Sequence, residues 1–285
     1  MVVFLNGRFL AEEGAVVSVH DRGFLYGDGL FETLRVVHGT PILWDAHMDR
    51  FTRGAAVLKL RPPLTALEMG RAVHRLIKLN GFAEAILRIT LTRGHGPRGY
   101  SPKGADKPTL AMTLHDAPRH GVNTFASVRL ITSAHRVAAD DPLANVKTCN
   151  KLPNVLARAE AEAAGADDAL LLNTRGHMAE ATASNLFWIS GRALSTPPAR
   201  AGALPGITRA VVLELAGKLG LAPGEVEAKP EVLHEASAVF LTNSVGGITE
   251  VLALNGRAMR RSSVVKRLQA AYKQLLRQQS KQLSS

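Results

Sequence analysis

The sequence of 285 residues contains a single cysteine, Cys149, which excludes a disulfide framework and a thiolate metal cluster. It has no apolar run of about eighteen residues, so no segment reads as a membrane span. The opening Met1-Val-Val-Phe-Leu-Asn-Gly lacks a basic region and meets a polar turn by Asn6, unlike a secretory signal. A cytoplasmic location is expected. The ten histidines are scattered without H-E-x-x-H or other ligand spacing, so no metal site is expected. Internal repeats, low-complexity tracts, a P-loop and a G-x-S-x-G elbow are also missing. Acidic residues are missing from one region. From residue 251 to the end there are eight basic side chains and no acidic one, which is +8 of the net +11. A basic tail can contact nucleic acid. Here Val264, Val265, Leu268, Tyr272, Leu275 and Leu276 fall at helical spacing, so the tail reads as an amphipathic helix with one solvated face. Nucleic acid is not expected as a partner.

What remains is a chain that is 46% apolar and 21% charged, ordinary for a globular protein and long enough for two small cores. Val2–Leu10 reads as a β-hairpin turning at Asn6-Gly7. Leu30–Val37, Ala85–Thr92 and Thr109–His115 read as strands, with helices near 45–59 and 65–80. Further on, Phe125–Thr132, Asp168–Asn173, Asn185–Ser190 and Ala238–Asn243 read as strands, and 153–164 and 207–219 as helices. Asn150 is a candidate cap for the helix that Pro153 opens. The regular βαβ alternation of a doubly wound sheet is lacking. The expectation is a two-domain α+β protein: an N-terminal domain 1–117, a linker 118–123 containing Pro118 and Gly121, and a C-terminal domain 124–285.

Gly94-His-Gly96-Pro-Arg-Gly99 matches G-x-G-x-x-G, but Pro97 and the following Tyr100-Ser-Pro cannot open the helix a dinucleotide fingerprint needs. The segment is a loop between strands, in which Arg93 and Arg98 flank glycines and could grip a carboxylate. Leu204-Pro-Gly-Ile-Thr-Arg209 opens a helix. Gly206 allows a tight turn, and the first free N–H groups, near Ile207 and Thr208, form a phosphate cradle. The turn from Thr242 to Gly247 could complete it. Arg50, Lys147 and Glu180 are each unremarkable alone. Together they offer an anchor for a phosphate, an amine for a Schiff base and a carboxylate for a pyridinium, the three groups pyridoxal phosphate requires.

Five motifs in order carry a resemblance through nearly the whole chain. They are Asp21-Arg-Gly-Phe-Leu-Tyr-Gly-Asp-Gly-Leu-Phe-Glu32, His47-Met-Asp-Arg50, Val146-Lys147 with Leu152–Ala157, Glu180 through Phe187, and Leu204–Arg209. The sequence resembles the class IV (fold type IV) pyridoxal-phosphate enzymes, which include branched-chain and D-amino acid aminotransferases and aminodeoxychorismate lyases. The resemblance implies two α/β domains with the cofactor at their interface and the Schiff-base lysine in the C-terminal domain. It also implies a homodimer whose partner loop closes the site. It implies Lys147 as Schiff-base lysine and proton shuttle, and Glu180 as partner of the pyridine nitrogen. The implied cofactor set is Arg50, Lys147, Glu180, Asn185, Leu204, Gly206, Ile207, Thr208, Asn243 and Ser244. Relatives commonly have Glu-Gly where this chain has Glu180-Ala181.

Within that family, Arg93-Gly-His-Gly-Pro-Arg-Gly-Tyr100 is similar to the lyases' loop, whose second arginine, here Arg98, grips a substrate carboxylate. Phe240–Ser244 and Asn185–Trp188 also resemble the lyases. Lys151 stands where branched-chain aminotransferases have a tyrosine. Phe31 and Tyr100 replace a tyrosine and a histidine of D-amino acid aminotransferases, while Gly247-Ile-Thr-Glu250 fits the aminotransferases better. The implied substrate is small and anionic, contacted by Phe31, Arg98 and Tyr100. Aminodeoxychorismate lyase is the expected activity, with a class IV aminotransferase as the alternative.

Overall fold

A computed structural model describes residues 1–117 and 127–282. The chain divides into two compact units. Among the described residues, one comprises 1–117, Val146–Asn150 and 276–282; the other comprises 127–145 and Lys151–Leu275. The expected linker 118–123 lies outside the described residues.

The first unit is built on β1 (Val2–Leu5), β2 (Arg8–Ala11), β3 (Gly29–Val37), β4 (Thr40–Pro41), β5 (Ala85–Thr92) and β6 (Thr109–Asp116). They form one antiparallel sheet in the order β2-β1-β6-β5-β3-β4. The hairpin turns at Asn6-Gly7 as its sequence requires, and both residues take positive φ. A short helix α1 (Arg22–Tyr26) precedes β3, and α2 (Trp44–Val57) and α3 (Ala66–Asn80) follow β4. α3 begins in a capping box, with the Thr65 and Glu68 side chains bonding each other's backbone N–H, and ends at Gly81 with φ +69°. Leu30, Leu34, Leu87, Ile89, Leu91, Leu110 and Met112 pack with Met48, Phe51, Val73 and Leu76 of these two helices into the core.

The second unit contains β7 (Ser127–Val137), α4 (Leu152–Ala163), β8 (Asp168–Asn173), β9 (Met178–Ala181), β10 (Asn185–Ser190), β11 (Ala193–Thr196), α5 (Ile207–Lys218), β12 (Ala222–Glu225), β13 (Ala238–Asn243), β14 (Gly247–Leu254), β15 (Arg257–Ala258) and the long α6 (Ser263–Gln282) as far as Leu275. The main order is β12-β11-β10-β13-β14-β7-β8-β9, and β9 also pairs β10. Six strands from β10 round to β9 therefore close on themselves. β7 runs parallel to both β14 and β8. The strands β9, β11 and β12 have four residues each, β12 with Pro and Gly inside it, and β14 is longer but shifts register between Val251 and Ala253; their residues carry little alternating pattern. No described helix is long and apolar enough to cross a membrane.

Three sequence expectations differ from the structure. β7 continues to Val137, past the expected end at Thr132, because β8 pairs it as far as Asn173. Asn150 does not cap α4. The cap position is Lys151, without a side-chain bond, and Asn150 Nδ2 instead donates to the Gly27 carbonyl at 3.2 Å. Lys147 was expected in the C-terminal domain but groups with the first unit. The Phe31 N–H donates to the Lys147 carbonyl and the Cys149 N–H to the Gly29 carbonyl, both at 2.9 Å, while Val146 is buried in the first core. Residues 146–150 are thus a strap bonded along the start of β3.

Candidate active site

In the first unit the chemistry lies on both faces of β3, because alternate side chains of a strand point to opposite faces. Leu30, Glu32 and Leu34 share the face that packs against α2, and Glu32 is 0% exposed. A carboxylate in that position needs a countercharge and donors. α2 brings them one turn apart. Arg50 donates from Nε to Glu32 Oε1 at 2.8 Å and from Nη2 to Oε2 at 2.7 Å, while His47 Nδ1 sits 2.7 Å from Oε2. Burial pushes the Glu32 carboxyl up, but the bonds and charges of Arg50 and His47 override it and hold its pKa at about 2. An ionised carboxylate only accepts, so His47 carries its proton on Nδ1. Burial lowers the pKa of His47, and the charges of Arg50 and Lys147 act in the same direction against Glu32. His47 is therefore a neutral donor, and Glu32 is the countercharge of Arg50.

Phe31 occupies the opposite face. Lys147 Nζ lies 4.7 Å and Arg88 Cζ 3.9 Å from its ring centroid. The strap holds the main chain of Lys147 to β3, so its half-buried amine stays beside this ring. Arg88, on β5, makes no carboxylate pair among the described residues; its Nε donates to Thr90 Oγ1 at 3.2 Å. A half-buried guanidinium of this kind is suited to an anionic ligand.

The glycine-rich loop joins β5 to β6 and is tied down along its length. Arg22 is buried; it donates to Asp28 at 2.9 Å, to the Gly99 carbonyl at 2.8 Å and to the Tyr100 carbonyl at 3.1 Å. Its guanidinium lies over the Tyr26 ring, and the Tyr26 hydroxyl accepts from the Gly99 N–H. Arg93 turns inward, contrary to the expectation that it would face a ligand. It holds Asp28 through Nε at 2.7 Å and Nη2 at 3.0 Å and donates to the Leu58 and Lys59 carbonyls. Burial raises the Asp28 carboxyl, but the bonds and charges of Arg93 and Arg22 bring it below the usual range. Arg98 and Tyr100 are left at the tip, and Tyr100 is 89% exposed. The Asp21–Gly29 motif is thus the clamp of this loop. Gly27, at φ +65°, also lets Asn150 approach, since a Cβ there would lie 2.4 Å from Asn150 Oδ1.

In the second unit, Glu180 of β9, Asn185 of β10 and Thr242 of β13 stand opposite one another in register. Glu180 Oε2 accepts from the Leu204 N–H at 2.9 Å and from Asn185 Nδ2 at 3.3 Å; Asn185 Nδ2 also donates to the Leu204 carbonyl at 2.7 Å. The Leu204 backbone and the Asn185 amide therefore orient the carboxylate. Gly206 starts α5 with no side-chain cap, leaving the first N–H groups of the helix, those of Ile207 and Thr208 among them, without a capping side chain. A Cβ at Gly206 would lie 2.0 Å from Asn185 Oδ1, so only glycine lets the helix start this close. Thr208 is buried, with its hydroxyl 3.5 Å from that of Tyr272.

Asn243 was expected to bind a cofactor, but its side chain builds the turn. Its Oδ1 accepts from the Val245 and Gly246 N–H groups, and its Nδ2 donates to Ser184 Oγ. Ser244 is half-buried within that turn. The Thr242 hydroxyl is buried without a partner among the described residues.

In the first unit the structure thus places Lys147 beside Phe31 on one face of β3 and Arg50 with Glu32 on the other, and in the second it gathers Glu180, Asn185, Leu204, Gly206, Ile207 and Thr208. Arg88 did not stand out in the sequence; Glu32 and His47 entered only as members of motifs without a role, and Thr242 only as the start of a turn. Glu32 had one readable signal, since it shares the strand parity of Leu30 and Leu34 and so had to be a buried charge.

Comparison with known proteins places this arrangement. The sequence model of the family Amino-transferase class IV matches residues 29–254. The chain is 36% identical over 283 residues to a putative branched-chain-amino-acid aminotransferase of Methanocaldococcus jannaschii, covering 96% of each protein. It is 30% identical over 246 residues to an aminodeoxychorismate lyase of Bacillus subtilis, covering 86% of this chain and 83% of that one. A branched-chain amino acid aminotransferase of T.th., solved with pyridoxamine 5'-phosphate, superposes with a TM-score of 0.88 at 28% identity, covering 96% of this chain and 94% of that one.

Proposed function

Because the chain belongs to the class IV aminotransferase family, we propose that it converts 4-amino-4-deoxychorismate to 4-aminobenzoate and pyruvate. The cofactor is pyridoxal 5'-phosphate. When bound, it supplies an electron sink for the pair left on a carbon that has lost its proton.

The donor set suits this group. Lys147 offers the amine that attaches the aldehyde. Glu180, already oriented by Leu204 and Asn185, is the carboxylate for the ring nitrogen. Arg50, the uncapped N–H groups of Ile207 and Thr208, and the Ser244 hydroxyl hold the phosphate. Glu32 and His47 fix the fork of Arg50 before the phosphate arrives. Gly206 and Leu204 line the ring and phosphate pocket.

In the lyase reaction Lys147 takes the proton from the ring carbon that bears the substrate amine. The C–O bond to the enolpyruvyl group then breaks, the ring becomes aromatic, and the departing enolate takes a proton to become pyruvate. Atoms balance without water or a second substrate. Arg98 orients one substrate carboxylate and Arg88 offers a cation for the other.

The observation that carries the lyase reading is the clamped Arg93–Tyr100 loop, in which Asp28 holds Arg93, Arg22 holds the Gly99 and Tyr100 carbonyls and Tyr26 holds the Gly99 N–H, while the Arg98 side chain stays exposed at the tip. Such an outward-facing tip suits a homodimer in which each copy's loop completes the other's site.

An aminotransferase is the second reading, favoured by the full-length similarity to the M. jannaschii protein. The test is a parallel assay of the cofactor-loaded protein. One arm follows 4-aminobenzoate from enzymatically generated 4-amino-4-deoxychorismate; the other follows amino transfer from D-alanine or leucine to 2-oxoglutarate. Rapid 4-aminobenzoate release with weak transfer is expected. Brisk transfer without 4-aminobenzoate would replace the lyase with the aminotransferase.

A further inference from the structure

Glu180, Asn185 and Thr242 form one row across three neighbouring strands, Glu180 opposite Asn185 and Asn185 opposite Thr242. Residues directly opposite on antiparallel strands carry their side chains on the same face. Asn185 identifies that face as the one the start of α5 approaches, since its amide donates to the Leu204 carbonyl and its Oδ1 fills the space a Gly206 Cβ would need. Two members of the row are engaged there. The third is not: Thr242 is 1% exposed, and its hydroxyl meets no donor or acceptor among the described residues. A buried hydroxyl without a partner carries a desolvation penalty that folding alone does not recover. Neighbouring strands lie about 4.8 Å apart, so Thr242 stands about 10 Å along the row from Glu180. It is two residues before Ser244, in a turn that Asn243 holds shut.

We propose that the Thr242 hydroxyl is a ligand of the cofactor phosphate, donating a hydrogen bond to a phosphate oxygen. This rests on the reading that Ser244 and the start of α5 hold that phosphate. The valine and serine variants test it, because Thr242→Val keeps the shape and removes the hydroxyl, while Thr242→Ser keeps the hydroxyl. A hydroxyl that serves the cofactor and not the fold gives opposite signs in the two states. Apoprotein of Thr242→Val should melt about 2–4 °C higher than wild type, because an unsatisfied polar group has been removed. Its dissociation constant for pyridoxal 5'-phosphate should rise about tenfold to a hundredfold, as expected for a lost bond to a charged group. Thr242→Ser should stay near wild type, and affinity for pyridoxal, which has no phosphate, should be the same in all three proteins. Unchanged affinity for pyridoxal 5'-phosphate in Thr242→Val would overturn the proposal. So would a lower apoprotein melting temperature, which would make the hydroxyl a structural partner, or an equal loss for pyridoxal, which would move the contact to the ring. Failure of wild type to bind pyridoxal 5'-phosphate would instead remove the reading of the site itself.

Discussion

Replacing Glu32 by glutamine tests whether this carboxylate is the countercharge that holds Arg50. Both carboxylate oxygens are used: Oε1 accepts from Arg50 Nε, and Oε2 accepts from Arg50 Nη2 and His47 Nδ1. Glutamine keeps the size but turns one end into an N–H donor, which must face an arginine that has only donors. Two routes give the magnitude. Breaking a buried ion pair from one side costs about 3–5 kcal/mol, because the other charge stays buried. Independently, the fall of the Glu32 pKa from 4.5 to about 2 corresponds to about 3 kcal/mol. The folded value lies below the unfolded one, so the contribution is complete above pH 4.5 and is lost as pH falls through about 2. The assay is denaturant unfolding of the apoprotein in a Trp188→Phe background, where Trp44, at the start of α2, reports the first unit. Wild type should exceed Glu32→Gln by about 3 kcal/mol at pH 7, and the gap should narrow between pH 4.5 and 2. A gap under about 1 kcal/mol at pH 7, the size of an ordinary neutral hydrogen bond, would refute the reasoning. A gap that does not change across the acidic interval would refute it equally.

Gly206→Ala should weaken pyridoxal 5'-phosphate binding by about tenfold to a hundredfold. The backbone there is extended at φ −69°, so the cost is steric, from a Cβ 2.0 Å from Asn185 Oδ1, and displacing that amide costs about 1–3 kcal/mol of bonding. Most of the loss should be absent when the same change is made in Asn185→Ala, and a fully additive double variant would show that the two residues are not in conflict. Arg98→Ala should raise KM for 4-amino-4-deoxychorismate about tenfold or more, with cofactor affinity unchanged, since Arg98 sits at an exposed loop tip. Wild-type KM in that variant would reduce the loop to a surface turn.

Much of the architecture was legible where order is local. The alternation of Ala85–Thr92 and Thr109–His115 and the Asn6-Gly7 hairpin encode their structure within a few residues. The ordered motifs pointed to the family and to Lys147, Glu180 and Arg50. β9, β11, β12 and β14 were not legible, because they are held by their neighbours in the sheet and lack a pattern of their own.

The sequence by itself determined which residue types are available and the periodicities that make strands and helices. It also determined the family, because motifs along one chain need no partner to be recognised. Only the tertiary structure decided which groups meet. Arg93 and Arg98 are five residues apart on one loop, yet Arg93 is spent on Asp28, 65 positions away, while Arg98 stays exposed. Lys147 follows the first unit because the N–H of Phe31 bonds its carbonyl, and Glu32 becomes a strong acid because Arg50 and His47 reach it from another element. Pairings of this kind depend on strand register and on which cation can reach which carboxylate. Those distances are set by the packed core, and no local pattern of residues encodes them.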